Sequence, residues 1–286
     1  MKVALVDYKH PEASHQFEQS LKHTGFAVIR NHPLSQPLIS QVFEDWKNYF
    51  KTEEKWQDRY DPNTQAGYFP FKSENAKDSK VKDLKEFFHL YPTTPIPKGM
   101  PENTKILYKQ MTDFGQVLLG WIEKNAPDQV RNGFSIPLTR MIEGSKETLL
   151  RPIHYPPLDG TEESGAIRAA AHEDINLITL LPAASAPGLE VKDVYGNWHQ
   201  VECNPGDLAI NSGDMLQKAS SGYYISTTHR VVNPNNQTAG QPRYSMPLFI
   251  HPRSDVILSK DCTAGSYLQE RLKEIGLLKK DETKSN

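Results

Sequence analysis

Three residues of this chain could share one metal ion. His172 and Asp174 stand two apart in His172-Glu173-Asp174, and on a β-strand that spacing puts both side chains on one face while Glu173 points to the other. Two imidazoles and a carboxylate on one side of an ion, with the far side open, form the donor set of non-haem Fe(II) centres that activate dioxygen. The third donor must then come from a distant strand folded alongside. His229 lies 55 residues after Asp174, within Ser226-Thr227-Thr228-His229-Arg230-Val231-Val232, which reads as such a strand.

The pattern has competitors. His10-Pro11-Glu12 has the same spacing, but Pro11 opens a helix more naturally than a strand. His199 follows a predicted turn and is expected to face solvent, and His251 precedes Pro252 where a strand should end. On residues alone, His229 reads equally well as a core histidine satisfied by its neighbours.

A second constellation follows at Arg243-Tyr244-Ser245, again two apart on a predicted strand. A guanidinium fork and a hydroxyl on one inward face make a clamp for a carboxylate, because arginine binds it through two hydrogen bonds and keeps its charge. Inside a barrel such an arginine needs an anion, since an unpaired buried charge is costly. At the surface it would need none.

These groups need a β-rich scaffold, and the texture of the chain changes to one near residue 145. Beyond it run short apolar segments broken by Pro, Gly and Asn, with strands predicted at 175–181, 189–194, 197–201, 207–211, 227–232 and 244–251 and a tight turn at Tyr195-Gly196-Asn197. Before it, helical periodicity dominates. Ile39, Phe43, Trp46 and Phe50 form one stripe behind a capping Ser35, Leu107, Met111, Phe114, Leu118 and Trp121 form another over 103–125, and 11–23 reads as a shorter helix stopped by Gly25. A last amphipathic helix carries Tyr267, Leu268, Leu272 and Ile275, ahead of a polar tail from Lys279 to Asn286. The fold class expected is α+β with a mainly β core: a double-stranded β-helix, or jelly roll, with an N-terminal helical region and flanking helices. The divisions expected are 1–144 as a helical or mixed region packing on the barrel, 145–255 as the barrel and 256–286 as the terminal helix and tail.

Composition narrows the partners. With 33 basic and 35 acidic residues the net charge is −2, which argues against a field that gathers nucleic acid or an anionic membrane. Cys203 and Cys262 are too few and too far apart for a disulfide framework, and no apolar run reaches the length of a signal or membrane segment, so a cytoplasmic protein acting on a small molecule is expected. Oligomeric state is not encoded legibly. Lys72, Lys77, Lys80, Lys82 and Lys85 read as a basic surface loop, with a lid as the alternative.

Six motifs in order carry a family resemblance: residues 170–181, Gly188-Leu189-Glu190-Val191, Asn204-Pro205-Gly206-Asp207, Asn211-Ser212-Gly213-Asp214-Met215, residues 226–234, and Arg243-Tyr244-Ser245. Together they resemble the isopenicillin N synthase-like family of 2-oxoglutarate- and Fe(II)-dependent oxygenases. Gly67-Tyr68-Phe69-Pro70 and Lys85-Glu86-Phe87-Phe88 extend the resemblance into the N-terminal half, over about residues 1–255. It implies that His172, Asp174 and His229 bind Fe(II) and that Arg243 and Ser245 bind the distal carboxylate of 2-oxoglutarate, with Tyr155 touching the same molecule. Ile153 stands where the family usually carries Asn, and the connection from His229 to Arg243 is longer than usual.

The resemblance implies oxidation of a small organic substrate by dioxygen, with 2-oxoglutarate converted to succinate and carbon dioxide; hydroxylation, desaturation and ring closure share that beginning. The protein then contributes binding and orientation rather than a side-chain acid or base. Relatives that dispense with 2-oxoglutarate, relatives that fragment it to ethylene, and a non-catalytic ligand-binding jelly roll are the competing readings. Arg168, Tyr68 and Phe69 are the residues expected to meet the primary substrate, Arg168 through an anionic group unless it forms a surface ion pair.

Overall fold

In the computed structural model, which describes residues 1–74, 81–235 and 237–274, the strands gather into three main sheets. The largest runs Ala4–Asp7, Phe26–Arg30, Leu208–Ser212, Ile178–Pro182, Leu248–Ile250 and Leu149–Leu150, in that spatial order. A second runs Trp198–Gln200, Leu189–Lys192, His229–Val231 and Ala169–His172, and a third Arg243–Ser245, Ile153–Tyr155, Glu86–His89 and Gly67–Phe69. The second and third meet through Ala169, Val231, Ile153, Tyr155, Phe69 and Phe87, an apolar cluster that fills the space between them. The fold is the double-stranded β-helix flanked by helices.

The helices follow their apolar stripes. Gln36–Phe50 is capped by Ser35, whose hydroxyl accepts the Leu38 N–H at 3.3 Å, and it buries Ile39, Val42, Trp46 and Phe50. Asn103–Asn125 buries Leu107, Met111, Phe114, Leu118 and Ile122, and each such side chain contributes about 1.5–3 kcal/mol. Ala13–Thr24 ends at Gly25, whose φ of 70° suits only glycine comfortably. A Cβ at Gly25 would also stand 2.2 Å from Oγ1 of Thr227, so this glycine lets the helix end approach the segment that delivers His229.

The mixed segment 1–144 does more than pack on the barrel, because Ala4–Asp7 and Phe26–Arg30 belong to the largest sheet, with Leu208 opposite Ile29. Two expectations need correction. The single strand predicted over 244–251 is two strands in different sheets, since Met246-Pro247 interrupts the ladder and Pro247 has no N–H to donate. The lysine loop is only partly at the surface. Lys72 and Lys82 are exposed and Lys85 is buried between Glu74 and Asp83, 2.8 Å from each, while Lys77 and Lys80 lie outside the described residues.

Candidate active site

His172 ends one strand of the second sheet and His229 begins its antiparallel neighbour, with the two residues directly opposite. Two positions on, Val231 pairs with Ala169, so the strand leading to His172 carries one extra residue. This bulge turns His172 onto the face of His229, and the rings lie 4.4 Å apart. Asp174 corrects the strand-parity expectation: it lies past the end of Ala169–His172, and its direction is set by contacts rather than by strand alternation. Its Oδ2 accepts from the Thr179 hydroxyl at 2.5 Å and the Asn211 amide at 2.7 Å, which leaves Oδ1 directed at the histidines. Glu173 is turned aside, its carboxylate taking the hydroxyl of Thr228.

Each imidazole is oriented by a carbonyl two residues earlier. His172 Nδ1 lies 2.7 Å from the Ala170 oxygen and His229 Nδ1 3.0 Å from that of Thr227. A carbonyl only accepts, so both Nδ1 atoms donate, and in the neutral ring this leaves the Nε2 lone pair to a metal. Those Nε2 atoms stand 3.8 and 3.6 Å from Asp174 Oδ1, and the three donor atoms fit within 4.8 Å of one another. Burial first, and His229 second, push the His172 imidazole down to about 4, which keeps it in its neutral, ligating form at neutral pH. Burial acts to raise the Asp174 carboxyl, but His229, His172, Asn211 and Thr179 outweigh it and hold the group below its ordinary value. Two imidazoles and one carboxylate fit a divalent transition metal, with their other atoms already satisfied.

Arg243 and Tyr155 are opposite one another on adjacent strands, as are Ser245 and Ile153, so all four side chains share a face. The Arg243 guanidinium sits 5.1 Å from the Tyr155 ring centre, its Nε donating to the Ala186 carbonyl at 2.9 Å. Arg243 is 2 % exposed and its Nη1 has no hydrogen-bond partner among the described residues. Ile153 adds only an apolar surface on that face, so no amide replaces the family's Asn.

Beside His172 and Asp174 opens a cavity of about 720 Å³. Gln65, Lys85, His89, Arg151, His251 and Leu268 line it, the last from the helix Ala264–Glu274. Tyr68 and Phe69, expected to meet the substrate there, do not line it. Tyr68 is committed to Glu86, which also takes Lys55 and His154, and Phe69 stacks on Phe87 behind His89. Arg168 is neither at the cavity wall nor in a surface ion pair. It is 1 % exposed, 6.0 Å from the Tyr155 ring centre, with Nη2 donating to the Gln241 carbonyl at 3.0 Å.

Sequence reading missed His89 and set His251 aside at a strand end, yet both line the cavity. His89 Nδ1 meets the Gln65 carbonyl at 2.9 Å and His251 Nδ1 that of Phe249 at 3.1 Å, so each donates there and keeps Nε2 as an acceptor. Burial holds His89 well below its ordinary value and His251 at about 4. His199 was expected in solvent; it is half-buried, 2.7 Å from Asp193, because the Tyr195-Gly196-Asn197 turn folds the aspartate back toward it.

Comparison with known proteins agrees with this geometry. The 2OG-Fe(II) oxygenase superfamily matches residues 146–252, and the N-terminal family of the non-haem dioxygenase in morphine synthesis matches residues 3–113. The chain is 30% identical over 264 residues to a proline hydroxylase of Petromyces alliaceus, covering 83% of this chain and 80% of that one. A crystal structure of a candidate oxygenase from Shewanella oneidensis superimposes with a TM-score of 0.87 at 46% identity, over 97% of this chain and 100% of that one. A 2OG-Fe(II) oxygenase family protein from Caulobacter crescentus does so with a TM-score of 0.80 at 30% identity, over 96% and 99%. With the sequence match, the fold and the His-Asp-His cluster in agreement, this chain belongs to the 2-oxoglutarate- and Fe(II)-dependent oxygenases, as an oxidoreductase of that superfamily.

Proposed function

We propose that His172, Asp174 and His229 hold the Fe(II), that Arg243, Ser245 and Tyr155 receive the distal carboxylate of 2-oxoglutarate, and that the cavity beside them takes a small organic substrate. The observation that carries this reading is the satisfaction pattern: every other polar atom of the triad is bonded elsewhere, and the two Nε2 atoms and Asp174 Oδ1 face one another. Bound iron with 2-oxoglutarate supplies the oxidation: dioxygen and the cosubstrate yield succinate and carbon dioxide while one oxygen atom enters a C–H bond of the substrate.

The protein's own work is orientation. The bulged strand and the Asn211 and Thr179 hydrogen bonds fix the three donors in advance. Neutral His251 offers an acceptor to substrate N–H or O–H groups without lending the cavity charge. Enclosure between sheets and terminal helix, with the balanced net charge, favours a metabolite over nucleic acid or a lipid surface. Cys203 and Cys262 are free thiols, which favours the cytoplasm as the compartment.

Replacing His172, Asp174 or His229 by Ala is expected to abolish iron retention and turnover in a folded protein, while Glu173→Ala keeps both. Anaerobic addition of 2-oxoglutarate to the Fe(II)-loaded enzyme should produce a visible charge-transfer absorption, followed by succinate when air is admitted. Full iron occupancy in Asp174→Ala, or the lack of that absorption in the parent protein, would sink the assignment.

A further inference from the structure

The cosubstrate pocket proposed above holds one arginine more than it needs. Arg168 and Arg243 are 1 % and 2 % exposed, and their guanidinium carbons lie 6.0 and 5.1 Å from the same Tyr155 ring centre. Neither forms an ion pair with a carboxylate among the described residues. Arg168 gives one donor to the Gln241 carbonyl and Arg243 one to Ala186, and Arg168 Nε and Arg243 Nη1 are buried with no hydrogen-bond partner among the described residues. Two buried guanidiniums around one phenol repel each other and forgo hydration, which is costly unless an anion joins them. Burial first, and Arg243 second, press the Arg168 guanidinium below its ordinary value, as expected for two cations buried side by side.

The surrounding chain holds Arg168 in place. Asn233 accepts the Arg168 backbone N–H at 3.0 Å through its side-chain oxygen and donates to the Ala166 carbonyl at 2.8 Å, and Gln241 stands two residues before Arg243. The long connection after His229 thus contributes a carbonyl that aligns the second guanidinium beside the first. A backbone carbonyl neutralises no charge, so the alignment leaves Arg168 available to an anion.

We propose that Arg168 is a second cationic residue of the 2-oxoglutarate pocket, acting with Arg243 on the distal carboxylate and making the enzyme select a diacid over a monoacid. The inference rests on the cosubstrate reading above, and the two can fail separately. Metal-loaded protein is titrated anaerobically with 2-oxoglutarate and with 2-oxopentanoate, which has the same chelating head and chain length without the distal carboxylate. Arg168→Gln is expected to weaken 2-oxoglutarate binding roughly tenfold to a hundredfold, the range for a charge-assisted hydrogen bond, and to move 2-oxopentanoate less than about twofold. Arg168→Lys should keep part of the preference for the diacid.

Thermal unfolding of the metal-free variants supplies an independent readout. Removing an uncompensated buried cation should leave the midpoint of Arg168→Gln unchanged or raised. Equal losses for both ligands, or a lowered midpoint with an unchanged ratio of affinities, would make Arg168 a prop for the 233–242 connection and overturn the proposal; if Arg168→Gln does not fold, the same ratio in Arg168→Lys decides. A parent protein that binds both acids equally would overturn the cosubstrate reading itself.

Discussion

Positive charge is buried in two places in this protein, and it is treated in opposite ways. At the cavity wall Lys85 lies 2.8 Å from both Glu74 and Asp83, and Arg151 lies 3.6 Å from Glu74 with its guanidinium between the rings of Phe87 and Phe249. Around Tyr155, the partners of Arg168 and Arg243 among the described residues are carbonyls and the phenol. Burial alone would lower the Lys85 ammonium, but Glu74 and Asp83 outweigh it and raise it; both arginines at Tyr155 are lowered. The first cluster is electrically closed and the second is open. An open cluster binds an anion, whereas a closed one shapes a cavity, so the primary substrate need not be anionic even though its wall is rich in charged residues.

The contrast can be broken at its closed end first. Lys85→Met leaves two buried carboxylates facing one another, and is expected to destabilise the protein by about 3–5 kcal/mol, measured by urea unfolding, with the preference of any folded fraction for 2-oxoglutarate over 2-oxopentanoate retained. A loss below 1 kcal/mol would mean that Glu74 and Asp83 find other partners. At the open end the signs reverse. Arg243→Ala is expected to raise the 2-oxoglutarate dissociation constant about a hundredfold at little cost to folding, and Arg243→Lys to recover only part, because an ammonium lacks the fork. Unchanged affinity in Arg243→Ala would show that this arginine serves a different ligand.

The smallest effect concerns how the closed cavity keeps its histidines neutral. The folded-state value of His251, about 4, lies below its ordinary 6.5, so between those values the unfolded chain binds more protons and stability falls as pH drops. From pH 7 to pH 5 this amounts to about 2 kcal/mol for one such histidine. Metal-free His251→Gln should lose correspondingly less stability over that interval than the parent. An identical pH dependence would indicate that His251 protonates freely in the folded protein.

The legible part of the site was its short-range chemistry. His172-Glu173-Asp174 and Arg243-Tyr244-Ser245 are local spacings, and the helices announced themselves through Ser35, Gly25 and the stripe from Leu107 to Leu118. What escaped depends on which groups the fold brings together. Lys85 looks solvated among its neighbouring lysines, and only the fold reveals the carboxylates and Arg151 around it. The direction of Asp174 comes from Asn211, and the bulge before His172 from its pairing with the strand His229–Val231, neither of which local periodicity encodes. Tyr68 was misplaced for the same reason, since its partner Glu86 lies on the adjacent strand.

The pairing of Phe26–Arg30 with Leu208–Ser212 has a consequence for biogenesis. On a ribosome adding about 5–20 residues per second, the first strand pair waits about 10–40 s for its next neighbour to be made. Throughout that interval Ala27, Val28 and Ile29, all buried in the finished sheet, present an unpaired apolar edge. The nascent chain is therefore expected to depend on holding factors early in synthesis, and its refolding from denaturant to be slow, because the sheet closes only through contacts nearly 180 residues apart.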